Sequence, residues 1–138
     1  LTALAPCADA ALPASFARLV PLQQAVMAFD GARALAFEHR QHRERLSAPL
    51  LALLDAGAAI GGAQHAAHLA ETAACRAEVD ALFGQHDVLL APSAIGEAPE
   101  GLAHTGDPLF CRAWSLLGLP CVHLPFMRGP GGLPVGLQ

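Results

Sequence analysis

Asp87-Val88-Leu89-Leu90-Ala91-Pro92 is the stretch on which the reading of this chain turns. A short apolar run bounded by turn residues reads as a buried strand, and it ends a long region of helical periodicity. Downstream, residues 93–105 carry Gly, Pro and Glu without a period and read as a surface loop long enough to line a site. Asp107-Pro108 then marks a helix start, with Asp107 as N-cap and Pro108 at the first helical position, and Gly118 ends that helix. Leu119-Pro120-Cys121-Val122-His123-Leu124-Pro125 is a second strand, so strand, helix and strand follow in the order of a parallel βαβ unit with a right-handed crossover. Gly129-Pro130-Gly131-Gly132 turns the chain as a hairpin loop into a third strand, Leu133 to Gln138, with no turn after it. Neither end carries a natural boundary, and the sequence reads as a fragment.

Upstream, Leu22, Ala25, Val26, Phe29, Ala32, Ala36 and Phe37 recur at threes and fours, the stripe of an amphipathic helix with Pro21 in its first turn. The polar, mostly basic run from His39 to Arg45 fits the exposed end of that helix. Ser47 caps a second helix that buries Leu50, Leu51, Leu53 and Leu54 and stops at Gly57 as its C′ residue. A third helix from about Gln64 to Phe83 turns Ala66, Leu69, Ala70, Ala73, Ala77 and Leu82 inward and ends at Gly84. Leu1 to Ala5 can form a strand, and Cys7 to Ala14 reads only as a loop. The fold class is α/β: helices over residues 1–84 pack on a short mixed sheet built from residues 85–138, arranged as strand, loop, helix, strand, strand.

Composition sets the limits. The chain has 138 residues, 54% of them hydrophobic, which is one domain's worth of sequence able to bury about two-thirds of its unfolded surface. A net charge of −4 argues against nucleic acid, which is held by clustered cations. All eight basic residues are arginines, so the chain has no lysine. Cys7, Cys75, Cys111 and Cys121 form no C-x-x-C pair, which points to reduced thiols and a cytoplasmic location. The apolar start lacks a positively charged leader region, and no uninterrupted run approaches the ~20 residues of a membrane span.

The constellations that suggest chemistry have plainer readings. His39 with His42, and His65 with His68, share helix faces at i and i+3, but no third ligand lies at a telling offset. They read as surface histidines, and no metal or cofactor is assigned. Cys121 and His123 alternate on one strand without meeting, so Cys121 reads as a small core residue. Gly129 to Gly132 precedes no Lys-Ser/Thr and opens no helix, unlike a phosphate loop. Glu71, Glu78 and Asp80 are spaced for exposure.

Taken in series, Asp87 to Ser93, Thr105-Gly106-Asp107-Pro108-Leu109-Phe110, Trp114-Ser115-Leu116-Leu117-Gly118-Leu119-Pro120 and Gly132-Leu133-Pro134-Val135-Gly136-Leu137-Gln138 resemble the end of amidase-signature proteins. The helical stretches ending at Gly57 and Phe83 resemble the same family. The resemblance implies a central sheet covered by helices and hydrolysis of carboxylic amides through an acyl-enzyme. It also implies a nucleophilic Ser, a second Ser on a cis peptide and a proton-relaying Lys, all in a Gly/Ser-rich signature upstream. This chain has no Lys and only Ser15, Ser47, Ser93 and Ser115, so no catalytic residue carries over. Its expected contribution is part of the sheet and a wall of the pocket for a small-molecule amide, with Asp107 and Trp114 as substrate-binding candidates at strand and helix termini. Each has a structural alternative: Asp107 as a helix cap, Trp114 as a packing anchor. The rival function is a non-catalytic binding or oligomerisation module, a homodimer formed through exposed apolar helix faces.

Overall fold

The computed structural model describes residues 7–138. The strand expected over Leu1–Ala5 lies outside the described residues. A 3-10 turn, Ala14–Arg18, leads into α1 (Leu19–Ala34), followed by α2 (Ala36–Gln41), a second 3-10 turn (Arg43–Arg45), α3 (Ala48–Ala58), α4 (Gly62–Leu82) and α5 (Leu109–Leu117). The chain closes with β1 (Leu124–Arg128) and β2 (Pro134–Leu137). The fold is α/β, with helices dominating over a small sheet.

The core sits where the start of α1 meets α4 and α5. Leu19, Cys75, Val79 and Leu117 form its buried centre, and Phe16, Ala113, Leu116 and Leu119 pack around it. Burying a side chain of the Leu or Val class contributes about 1.5–3 kcal/mol, so this cluster carries much of the cohesion between α1, α4 and α5. Polar clasps tie the same elements together. Arg18 grips Glu71 through two nitrogens (2.8 and 3.1 Å), Ser15 Oγ donates to Glu78 (2.6 Å), and Arg112 donates to Gln23 (2.8 Å). Glu71 and Glu78 are therefore anchors for the turn before α1, not merely solvated carboxylates.

The first helix does not run unbroken to Arg45. Leu35 leaves helical geometry (φ −104°, ψ 26°), and His42 does so again (φ −135°, ψ 33°). The two breaks fold the basic stretch back onto α3, where Arg43 reaches Asp55 with paired bonds of 2.8 and 2.5 Å and His39 Nε2 lies 2.8 Å from the same carboxylate. His39 is thus no free surface histidine; its side chain is only 13% exposed. The Arg43 hydrogen bonds, and then that of His39, hold Asp55 well below the usual carboxylate range, at about 2.

Two further expectations change. Gly57 does not stop α3: the helix continues to Ala58, and Gly57 is buried within it. A Cβ at this position would stand 1.9 Å from the Ala28 carbonyl oxygen and 3.0 Å from the Ala32 Cβ. The glycine is there so that α3 can approach the α1 backbone. Ser47 takes the N-cap position of α3 but makes no side-chain cap bond. The rotation of α4 also differs from the alanine stripe. Thr72, Cys75 and Val79 face inward, whereas Ala66, Leu69, Ala70, Ala73 and Ala77 are exposed. Alanines bury too little area to set a helix's rotation. That is decided by the core contacts of Cys75 and Val79 and by His65, which stacks on Phe29 at 3.9 Å. Thr72 can face inward because its hydroxyl donates to the His68 carbonyl at 2.8 Å.

The sheet inserts a further strand into the expected strand–helix–strand unit. β1 and β2 pair antiparallel, with Phe126 as an extra residue between the Pro125–Gly136 and Met127–Val135 pairs. Such a bulge is where a strand tolerates proline. On its other edge β2 meets residues 91–93: Ala91 and Gln138 exchange backbone bonds of 2.9 and 2.8 Å, and Ser93 N–H donates to the Gly136 carbonyl at 3.0 Å. Pro92 bridges Leu137 antiparallel. The two runs read as the parallel strands of that unit are both antiparallel to β2 and so run parallel to each other, with β2 inserted between them. The first run shortens to a single bridge, and the second begins at Leu124 instead of Leu119. Prolines 92, 120 and 125 lack the N–H that a longer ladder needs.

Gly57→Ala adds a methyl where backbone already stands, so it should destabilise the fold by about 2 kcal/mol and lower the melting temperature by roughly 8 °C. Gly62→Ala, where a Cβ meets nothing within 4 Å, should leave melting unchanged or slightly raised. Thermal denaturation of both variants checks this.

For Asp55 the folded carboxylate titrates below its unfolded value, so its contribution to stability is present above about pH 4. It drains as pH falls toward about 2. Denaturant midpoints measured across that window should fall more steeply for the parent chain than for Asp55→Asn; equal slopes would remove the ion pair from the stability argument.

Candidate functional site

The segments around β2 open two cavities. The first, about 200 Å³, is apolar and is lined by Phe83, Val88, Leu90, Trp114, Val122 and Leu124 among others. Trp114 projects from α5, half-buried, and meets Phe16 edge to face with ring centroids 5.9 Å apart. Its indole thus both packs on the turn before α1 and forms a wall of this cavity. Cys121 lines the same cavity and is exposed, so it is not the core residue the strand pattern implies. It sits there because residues 119–122 precede β1 and are covered by no neighbouring strand.

The second cavity, about 240 Å³, is the more polar of the two and lies between the loop after Pro92 and the β1–β2 hairpin. Ser93, Glu97, Thr105, Asp107 and His123 face it. Glu97 latches the loop in place: its two carboxylate oxygens accept the Gly131 and Leu133 backbone N–H groups, each at 2.8 Å. A Cβ at Gly131 would come within 2.6 Å of that carboxylate. Residues 129–132 therefore form the hairpin loop and also hold an anion of the chain's own. Gly132 adopts φ +83°, the left-handed region that favours glycine at such a turn.

Asp107 is exposed at the rim of the polar cavity. It is not the cap of α5: that position belongs to Pro108, which makes no side-chain cap bond, and the helix starts at Leu109. Proline closes φ near the helical value and fits the entry to the helix, which moves the start one residue beyond the expected boundary. Gly118 ends α5 in the left-handed conformation (φ 66°). The structure places the two candidate residues in different cavities, so Asp107 and Trp114 do not converge on one ligand position.

Sequence spacing missed a pairing of a hydroxyl with an imidazole. His123 Nδ1 lies 2.8 Å from Ser93 Oγ, across 30 positions of sequence. Its neighbour Cys121 instead points its thiol at the Leu119 carbonyl (3.7 Å). A polar ring between Val122 and Leu124 was the only signal available, and it carried no indication of a partner. Gln138 was missed as well: its side-chain amide donates to the Pro92 and Phe110 carbonyls at 3.0 and 2.9 Å, joining the loop, α5 and β2. His65 and His68 are half-buried along α4 rather than on the open surface, each with a buried Nδ1 lacking a hydrogen-bond partner. Among the described residues no group of three or more His, Cys, Asp and Glu is arranged to hold a metal ion, and no helix is long and apolar enough to cross a membrane.

Comparison with known proteins places this architecture. A solved amidase superposes on 91% of the chain with a TM-score of 0.80 at 25% sequence identity. The A subunit of glutamyl-tRNA(Gln) amidotransferase from Synechococcus sp. (strain WH7803) is 41% identical over 70 residues, 46% of this chain. Over these stretches the chain is similar to amidases and to glutamyl-tRNA(Gln) amidotransferase A subunits. The corresponding subunits of Synechococcus sp. (strain CC9605) and Prochlorococcus marinus (strain MIT 9313) are each 39% identical over 70 residues. No family model matches the chain. The match spans 14% of the length of these curated relatives, and the superposition covers 32% of the solved amidase.

Neutralising the latch tests whether the loop is held as described. Glu97→Ala removes two charge-assisted bonds, a loss of roughly 1 kcal/mol at a site this open to solvent. Hydrogen exchange and proteolytic nicking over residues 93–105 should rise several-fold while α1 to α4 keep their protection. Unchanged exchange in the loop would show that Glu97 does not hold it.

Proposed function

We propose that this chain supplies part of the sheet and a wall of the substrate pocket in a cytoplasmic hydrolase of carbon–nitrogen bonds that acts on small carboxamides. The reading rests above all on the superposition over 91% of the chain at a TM-score of 0.80. The nucleophilic machinery belongs to other parts of such a protein. A serine hydroxyl must have a base in reach to attack an amide carbonyl, and the expulsion of an amine further requires a proton donor. The amidase resemblance assigns that relay to a lysine, and this chain has none.

Within this role Trp114 presents an apolar face to the acyl part of the substrate, and Asp107 offers a carboxylate to a polar substituent at the rim of the neighbouring cavity. Their separation into two cavities suits a substrate with an apolar and a polar end.

Two measurements test the proposal. The isolated chain should release no ammonia from simple carboxamides. A chimera in which this chain replaces the matching 32% of the solved amidase should hydrolyse carboxamides, and Trp114→Ala within it should raise KM about tenfold, the equivalent of 1.4 kcal/mol of binding. A chimera that folds with full secondary structure yet turns over no amide would sink the reading, as would ammonia release by the chain alone.

A further inference from the structure

The polar cavity contains a serine and a histidine already in contact, and the role proposed above uses neither. Ser93 Oγ and His123 Nδ1 stand 2.8 Å apart, a hydrogen-bond distance across which an imidazole can take a hydroxyl proton. Both groups are placed by backbone rather than by chance rotamers. Ser93 N–H donates to the Gly136 carbonyl at 3.0 Å, and the Ser93 carbonyl receives the Cys111 thiol at 3.6 Å. The imidazole lies against Gly136, where a Cβ would come 2.1 Å from Cε1 and 2.8 Å from Nε2 of the ring. Only glycine at position 136 leaves room for the ring to stay beside the serine. The adjoining space of about 240 Å³, bordered by Thr105 and Asp107, is large enough for a small acyl group.

We propose that Ser93 and His123 form a nucleophilic dyad that accepts acyl groups from small activated esters. In the first step Ser93 Oγ bonds to the ester carbonyl carbon while its proton passes to His123 Nδ1, the carbon–oxygen bond to the leaving group breaks, and a stable phenolate departs with the electron pair. In the second step the imidazolium first gives its proton to solvent, the neutral ring takes a proton from a water that attacks the acyl-serine, and that proton returns to Ser93 Oγ as the bond from the acyl carbon to Oγ breaks and the carboxylic acid leaves. The geometry also sets the limit of this chemistry. Nε2 lies against the Gly136 backbone, and no carboxylate orients the ring from that side among the described contacts. A dyad without a third group suits leaving groups that need no proton, so phenyl esters are substrates and carboxamides are not.

The probe is p-nitrophenyl acetate with the full chain. Phenolate release should be catalytic, and peptide mapping after a brief incubation should find acetyl on Ser93. Ser93→Ala and His123→Gln should each lower the rate roughly a hundredfold, the lower end of what a positioned base contributes. Ser115→Ala, an exposed serine on α5, should leave the rate unchanged. Circular dichroism checks that the variants fold, and the adduct position on the parent chain decides the matter even where one does not. Acetyl on Cys121 with Ser93 unmodified, or equal rates in folded Ser93→Ala and the parent, overturns the proposal. The role in amide hydrolysis is read separately by the chimera and is untouched by either result.

Discussion

The use of both edges of β2 is the constraint on which the site depends. β1 lies along one edge and residues 91–93 along the other, so a strand from the end of the chain holds together two runs that flank α5 in sequence. Ser93 and His123 come from those two runs, and the contact between them exists only because β2 sets their spacing. The small cross-section at Gly136 is part of the same arrangement: the histidine ring occupies the space a side chain would fill. Gln138 strengthens the junction by adding side-chain bonds from β2 to the loop and to α5.

The helical layer is organised by close approach instead of by large side chains. Few aromatics are available, 5% of the chain, so α3 reaches α1 through Gly57 and α4 meets α5 through Cys75, Val79 and Leu117. Because contact at Gly57 is made by backbone, its energy falls off steeply with any added atom. Charge pairs then fix the helix ends. Asp55 gathers Arg43 and His39 and turns the basic stretch back on α3, while Glu71 and Glu78 hold the turn that begins α1. These pairs are exposed and individually weak. Their effect is to select one arrangement of helices whose apolar faces are too alanine-rich to select it alone.

Much of this was legible in the residues. The three long helical regions, the left-handed glycine after α5 and the hairpin loop at residues 129–132 follow from local rules of period, capping and turn chemistry, and all three are in the structure. The likeness to amidases was legible for a different reason, the order of four short phrases. Where the reading failed, the missing information was non-local. The glycine that looks like a helix stop is a contact point with α1, and the alanine stripe that looks buried is exposed, because Cys75 and Val79 on the other face of α4 meet the core.

Sequence alone determined the helical regions, the helix after the loop and the final hairpin, and their order, since period and turn residues act over a few positions. It also determined that no lysine-assisted serine chemistry resides in these 138 residues, because that depends only on which side chains exist. Tertiary structure decided which strand lies between which, where α4 points, and that Asp107 and Trp114 stand in separate cavities while Ser93 and His123 stand together. Such outcomes are set by hydrogen bonds and packing between residues tens of positions apart, and alternation along a strand gives a face but never the partner across it.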